Sequence, residues 1–481
     1  MTVLGRTART LFSHPRLWGL LLCNVLLGLS TSFVSPFTSL FGEHEVGMSS
    51  VQFGAFMVAT GLAGIVFSTI LARWSDTRFS RRQVLLFGAL FGAFGYVGYA
   101  LVRDPVWLTV IGCVFLGLSS VTFSQLFAHA REVVDQSDIP EAEVPLYMNV
   151  FRLSFALSWT VGPALASLVM LQFSFVGTYL SAAFCFVALF VAVGIFVPQQ
   201  TSRRQVPQTG LKQTFKALSH PEVLAASLAF VLVFATSSLL MLSLPLFIVD
   251  TLHGTQVDVG VTFSVAPFFE LPLMFFIGAL ASRPHRAHHQ TRRTAKIIRL
   301  GILLFAAYFV GLAVVRAPWQ IYPLQILSAA VTAILQGLAI SYFQDFLPEQ
   351  QGTATNLYVN VTNTGRLIGY ILFSGLTFGL SYQAIFLMNF VVCMAAFLLL
   401  LVVRRTTGRF PDTLASSHEN YRVGHQPSVR TEAEKASEKT NSCRRILPIM
   451  GETQIDRELF GTLQDDRPRK LSVHPSGAYD T

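Results

Sequence analysis

Twelve long apolar runs, parted by short polar breaks, set the plan of the chain. They cover Leu17–Phe41, Val51–Trp74, Gln83–Val102, Val106–Phe127, Leu146–Leu171 and Phe175–Val197 in the first half. The second half has Val223–Val249, Val259–Ala281, Ile297–Val315, Trp319–Phe343, Thr353–Phe378 and Tyr382–Val403. Each is close to the roughly twenty residues that a helix needs to cross a bilayer. Backbone groups in hydrocarbon must find partners internally, and a helix supplies them within one segment. The pattern predicts an all-α membrane protein of twelve transmembrane helices. The polar stretch from Pro198 to Pro221 makes a linker between residues 1–197 and 222–403, two bundles of six. Residues 404–481 are polar, mixed in charge and without apolar period, which predicts a disordered tail.

The breaks differ in charge. Arg6, Arg9 and Arg16, then Arg73, Arg78, Arg81 and Arg82, then Arg203, Arg204, Lys212 and Lys216 fall on one side. Arg283, Arg286, Arg292, Arg293, Lys296 and Arg299, and finally Arg404, Arg405 and Arg409, join them. The other side holds Arg103 and Arg316. The positive-inside rule then places both termini in the cytoplasm. This asymmetry explains the net charge of +9 without nucleic acid as a partner. Composition agrees, since 13% of residues are charged against about 25% in a soluble domain.

Other chemistry is thin. Cys23, Cys113, Cys185, Cys393 and Cys443 are far apart and suggest neither disulfides nor a zinc site. The histidines from His285 to His289 sit in a basic loop, and no metal is read from them. No glycine-rich, lysine-containing nucleotide loop and no set for covalent catalysis is present, so the chain reads as neither an ATP-driven pump nor an enzyme, with no cofactor. The first run reads as a signal anchor that stays in place.

One charge stands out. Glu270 lies near the centre of the eighth run, where translocon scales put an acid at about +3 kcal/mol. Such a residue usually faces a bundle interior or a wet cavity and handles ions or substrate. Arg152, inside the fifth run, and Arg366, in the eleventh, are candidate partners. A carboxyl that alternates between a dry site and a cation can load and release a proton.

Six plus six helices around a polar linker is the layout of the major facilitator superfamily. The segment from Ala72 to Arg82, with Asp76, Arg81 and Arg82, resembles that superfamily's cytoplasmic loop signature, although Ala72 and Ser80 replace its glycines. Gly162 and Pro163 in the fifth run resemble the Gly-Pro motif of its antiporters. They also bend a helix and remove a backbone hydrogen bond.

More specific is the tract of Phe343, Gln344 and Asp345, then Pro348, Gly352, Ala354, Thr355, Asn360, Thr364 and Gly365. It resembles the bacterial sugar efflux transporter family. So do Gln125 to Ala128 with Arg131, Glu132 and Asp135, Arg152 with Trp159, Pro36 with Glu45 to Gly47, and Glu270 with Pro272. The resemblance covers most of Leu17–Val403 and implies proton-coupled export of sugars such as lactose, glucose and related glycosides, by a monomer in a lipid bilayer. It implies a sugar site between the bundles, to which Asn24, Gln125 and Gln336 would offer amides, Asn360 a further amide, and Trp159 and Tyr358 ring surfaces. Asp76, Arg81, Arg82, Arg131, Glu132 and Asp345, with Gly162 and Pro163, would gate it. Two other readings share the fold: export of amphipathic drugs, which the many phenylalanines suit, and a transporter-like sensor that signals through its tail.

Overall fold

The computed structural model describes residues 15–77, 79–137, 144–198, 217–281, 287–347 and 350–406. All of the regular structure there is helical. The helices are α1 (Pro15–Val34), α2 (Ser50–Thr77) and α3 (Arg81–Leu101). Next, α4 passes from Pro105–Ile111 through a π-turn to Val121–Asp135. Helices α5 and α6 share the span Val144–Phe196 and meet at a corner at Ser174, which lies in the left-handed region (φ 52°, ψ −160°). Then come α7 (Pro221–Leu246), α8 (Gln256–Ala281), α9 (Ala287–Val314), α10 (Ile321–Phe346), α11 (Gln351–Leu376) and α12 (Tyr382–Thr406).

Among the described residues, ten segments are long and apolar enough to cross a membrane. One of these holds both α5 and α6, and α11, whose Asn, Thr and Arg residues lower its hydropathy, completes the twelve. The chain is a multi-pass membrane protein built as two six-helix bundles. Two boundaries differ from the sequence reading. Helix α4 continues beyond Phe127 to Asp135, and α9 begins at Ala287 rather than Ile297. In both, charged residues end the apolar run while the helical hydrogen bonds carry on into the polar region. The linker from 199 to 216 and the tail beyond 406 lie outside the described residues.

The two bundles repeat each other in a way their sequences hide. Helix α1 runs on through Ser35–Phe37 and Thr38–Leu40 into a π-turn, Phe41–Glu45, and α7 ends in a π-turn, Phe247–Thr251. The Val46 amide donates to Phe41 C=O (3.0 Å) and that of Met48 to Gly42 C=O (2.9 Å). The amide of Leu252 donates to Phe247 C=O (3.1 Å) and that of Gly254 to Ile248 C=O (2.8 Å) in the same pattern. A residue with positive φ follows at the same offset, Gly47 (75°) and His253 (53°). Next, Ser49 N–H donates to Gln52 Oε1 (3.0 Å) and Thr255 N–H to Asp258 Oδ2 (2.8 Å), capping α2 and α8. Such repeats are the expected architecture of this class of transporter fold.

Within bundles, α1 packs along α5 and α7 along α11. Gly365 and Gly369 let α11 approach α7 closely, since a Cβ there would lie 2.7 Å from Val231 O and 2.5 Å from Ala235 O. Small residues four apart serve this purpose where hydrophobicity cannot drive helices together. Between bundles, α5 packs on α8 and α2 on α11.

Candidate functional site

The inter-bundle seams decide where a site can be. On one seam, α2 offers Val51, Phe53, Gly54 and Gly61 to Phe373, Ser374, Leu367 and Tyr370 of α11. Ser374 Oγ donates to Val51 C=O at 3.4 Å, and the rings of Phe53 and Phe373 meet edge-on at 5.7 Å. On the other seam, the freed backbone of α5 is used. Pro163 interrupts the helix, and the next amide, Ala164 N–H, donates to Ser264 Oγ of α8 at 3.1 Å. Gly162 lies against Ser32 of α1, and Gly260 of α8 lies against the Pro163 carbonyl. The Gly-Pro pair thus packs into a three-helix junction of α1, α5 and α8.

All these contacts lie at mid-height or toward the end away from Arg81, Arg82, Lys296 and Arg299. Closer to that basic end, both bundles carry exposed polar groups: Arg152 on α5, Gln336 on α10, and Asn360 and Arg366 on α11. Arg152 lies within electrostatic range of Tyr358 of the other bundle. The Tyr358 ring itself packs against Phe234 (6.0 Å) and Phe343 (6.1 Å). Arg366 donates through Nη2 to Asn363 Oδ1, one turn away. Trp159 is partly buried, and its indole Nε1 is buried without a hydrogen-bond partner among the described residues.

Glu270 is half-buried between Pro267 and Pro272 on α8. Neither proline can donate to the carbonyl one turn back, so α8 loses rigidity on both sides of the acid. Among the described residues, Glu270 forms no hydrogen bond or ion pair. The structure therefore does not bring it to Arg152 or Arg366.

Two of the expected sugar ligands are engaged elsewhere. Asn24 is buried, and its Nδ2 donates to Phe151 C=O (2.6 Å) and Ser154 Oγ (2.9 Å), which ties α1 to α5. Gln125 is buried in a network at the basic end, where Oε1 accepts from Ser75 Oγ (2.9 Å) and Arg81 Nη1 (3.2 Å). From sequence, these amides look like those of Gln336 and Asn360; only the packing separates them.

Of the expected gating residues, Arg81 and Glu132 belong to that network. Ser80 and Gln83 form a capping box that starts α3 and aims Arg81 inward. Arg81 Nε pairs with Glu132 Oε1 at 2.9 Å, both side chains being more than four-fifths buried (18% and 13% exposed). Arg82 Nη2 donates to Gly194 C=O at the end of α6 (2.7 Å). Arg131 and Asp135 form an exposed pair one turn apart (3.0 Å), and Asp345 is exposed at the end of α10. The Asp76 side chain lies outside the described residues. Removing one partner of a buried, charged hydrogen bond leaves the other desolvated and costs about 2 kcal/mol. Arg81→Gln is accordingly expected to lower the thermal unfolding midpoint of the purified protein by several degrees, whereas Arg131→Gln leaves it within about one degree.

A family model of the Major Facilitator Superfamily matches residues 20–365 and again 292–436. A putative sugar efflux transporter of Deinococcus radiodurans is 31% identical over 398 residues, 81% of this chain and 98% of that protein. Sugar efflux transporter A of Dickeya chrysanthemi is 30% identical over 343 residues, 71% of this chain and 84% of that one. The chain belongs to the sugar efflux transporter family of the major facilitator superfamily. The nucleoside transporter NupG has the same fold, with a TM-score of 0.66 at 14% identity over 81% of this chain and 99% of its own.

For a facilitator, the seams matter as much as the cavity. Sequence reasoning found Gly162 and Pro163 but missed their partners Gly260 and Ser264, and it missed the paired π-turns. A small residue on α8 facing a known helix breaker on α5 was the available signal for the first. Nothing local marked the second.

Proposed function

We propose that this facilitator exports sugars in exchange for protons, by alternating access to a site between residues 1–197 and 222–403. The observation that carries the reading is the 30–31% identity, over most of the chain, to proteins described as sugar efflux transporters. The exposed amides of Gln336 and Asn360 and the rings of Trp159 and Tyr358 suit a ligand with hydroxyls and an apolar ring face. Asn24 and Gln125 are reassigned to helix packing and to the basic-end network. Glu270 is the proton carrier. Its separation from both guanidinium groups corresponds to one stage of the cycle, and approach to Arg152 or Arg366 in another would favour release. Asp76, Arg81, Arg82, Glu132 and Asp345 steady the basic end, and Gly162 and Pro163 serve as the pivot. The charge bias supports cytoplasmic termini, and on the family resemblance the protein acts as a monomer in the inner membrane.

The test uses everted vesicles from cells producing the protein, energised acid inside, with radiolabelled lactose and glucose. Accumulation that a protonophore abolishes is expected. If the inserted, folded protein takes up neither sugar, the reading fails and amphipathic compounds become the substrates to try.

A further inference from the structure

The paired π-turns meet each other. His44 and Asp250 occupy the same position in their respective turns, the fourth of Phe41–Glu45 and the fourth of Phe247–Thr251. His44 Nε2 lies 3.0 Å from Asp250 Oδ1, joining the ends of α1 and α7 across the two bundles. Insertions of this kind are rare and concentrate at functional positions, because the extra residue re-aims a side chain that a regular helix would point elsewhere. Here both turns aim a titratable group at the pseudo-symmetric partner.

The surroundings favour charge control. Tyr382 of α12 donates to Asp250 Oδ2 at 3.4 Å. Glu43, on the same turn as His44, interacts with Asp250 and His44 electrostatically and with the Ser50 hydroxyl at the start of α2. Glu45, the next acid, is taken up by Arg103 at 3.0 Å, and that guanidinium also lies 5.3 Å over the Phe41 ring. Two acids, Glu43 and Asp250, therefore face the imidazole, and Arg103 is held by Glu45. Without a proton on His44, the acids repel across the seam. With it, the imidazolium bridges them.

We propose that His44 and Asp250 form a proton-sensitive latch that holds this end of the bundles together when the imidazole is charged and loosens it when the imidazole is neutral. A histidine changes charge between about pH 5 and 8, so the sign is fixed: acid favours the latched end and alkali frees it. The latch is separate from Glu270 and the sugar site. It sets how often this end opens, so His44 is a positioning residue for the exchange. The pair is about one-third to two-fifths exposed (42% and 34%), so its effect is modest.

The test needs neither sugar nor a proton gradient, so its failure and that of the export reading are distinguishable. Spin labels go on Val106→Cys, in the first turn of α4 of one bundle, and Gly379→Cys, in the α11–α12 turn of the other, with the five native cysteines replaced. Val106 is 69% exposed, and a side chain at Gly379 meets open space. In purified full-length protein, the widely separated population measured by pulsed electron resonance should rise about three- to fivefold from pH 5.5 to 8.5. His44→Gln and Asp250→Asn should be flat with pH, and His44→Lys should stay closed throughout. A pH response that survives His44→Gln, or none in the parent, overturns the latch.

Discussion

Glu270→Gln is expected to reduce protonophore-sensitive sugar accumulation in everted vesicles at least tenfold while leaving sugar-for-sugar exchange across the same vesicles near the parental rate. The glutamine has the shape of the protonated acid and none of its charge, so it mimics one loading state and cannot reach the other. Burial next to two prolines, with no ion pair or hydrogen bond among the described residues, makes the substitution mild for the fold. In contrast, an acid that served as a fixed structural anchor would have a partner to lose. Loss of both activities together would identify Glu270 as a packing or substrate residue. Full accumulation would remove it from the coupling step.

The second large effect concerns the α5–α8 seam. Gly260→Leu is expected to depress accumulation and exchange alike by tenfold or more, with Gly260→Ala intermediate. A Cβ at Gly260 would lie 2.6 Å from the Pro163 carbonyl oxygen and 2.6 Å from Ser167 Oγ. The oxygen belongs to the main chain at the kink, so it cannot rotate away as a side chain would. The larger residue forces α8 off α5, breaks the Ala164–Ser264 hydrogen bond and keeps this end from closing. Gly375→Leu, placed where a side chain meets open space on α11, is the matched control and should transport normally. Equal transport by Gly260→Leu would show that the seam need not close.

Much of this architecture is legible in the sequence because hydrocarbon imposes a length and an apolar composition on each span, and because loop charge has a side. The α5–α6 boundary is read correctly at Ser174, and the least apolar span, α11, is read from its length. The limits have physical causes too. Charges end the apolar run at Phe127, although the backbone continues α4 to Asp135. Asn24 and Gln336 look equivalent as amides on apolar helices, but one is buried between α1 and α5 and the other is exposed. The pairing of His44 with Asp250 depends on two distant helix ends both widening by one residue, and no local propensity records that.

Ser174 has a mechanical consequence. A corner of one residue between α5 and α6 leaves no slack, so any tilt of α5 is handed whole to α6, as in a crank. At the far end of α6, the Gly194 carbonyl is bolted to Arg82 at the start of α3. Three helices are thereby joined in series, α5 to α6 and α6 to α3. On the export reading, the N-terminal bundle turns as a stiff body, and the strain of turning falls on its two seams with the other bundle.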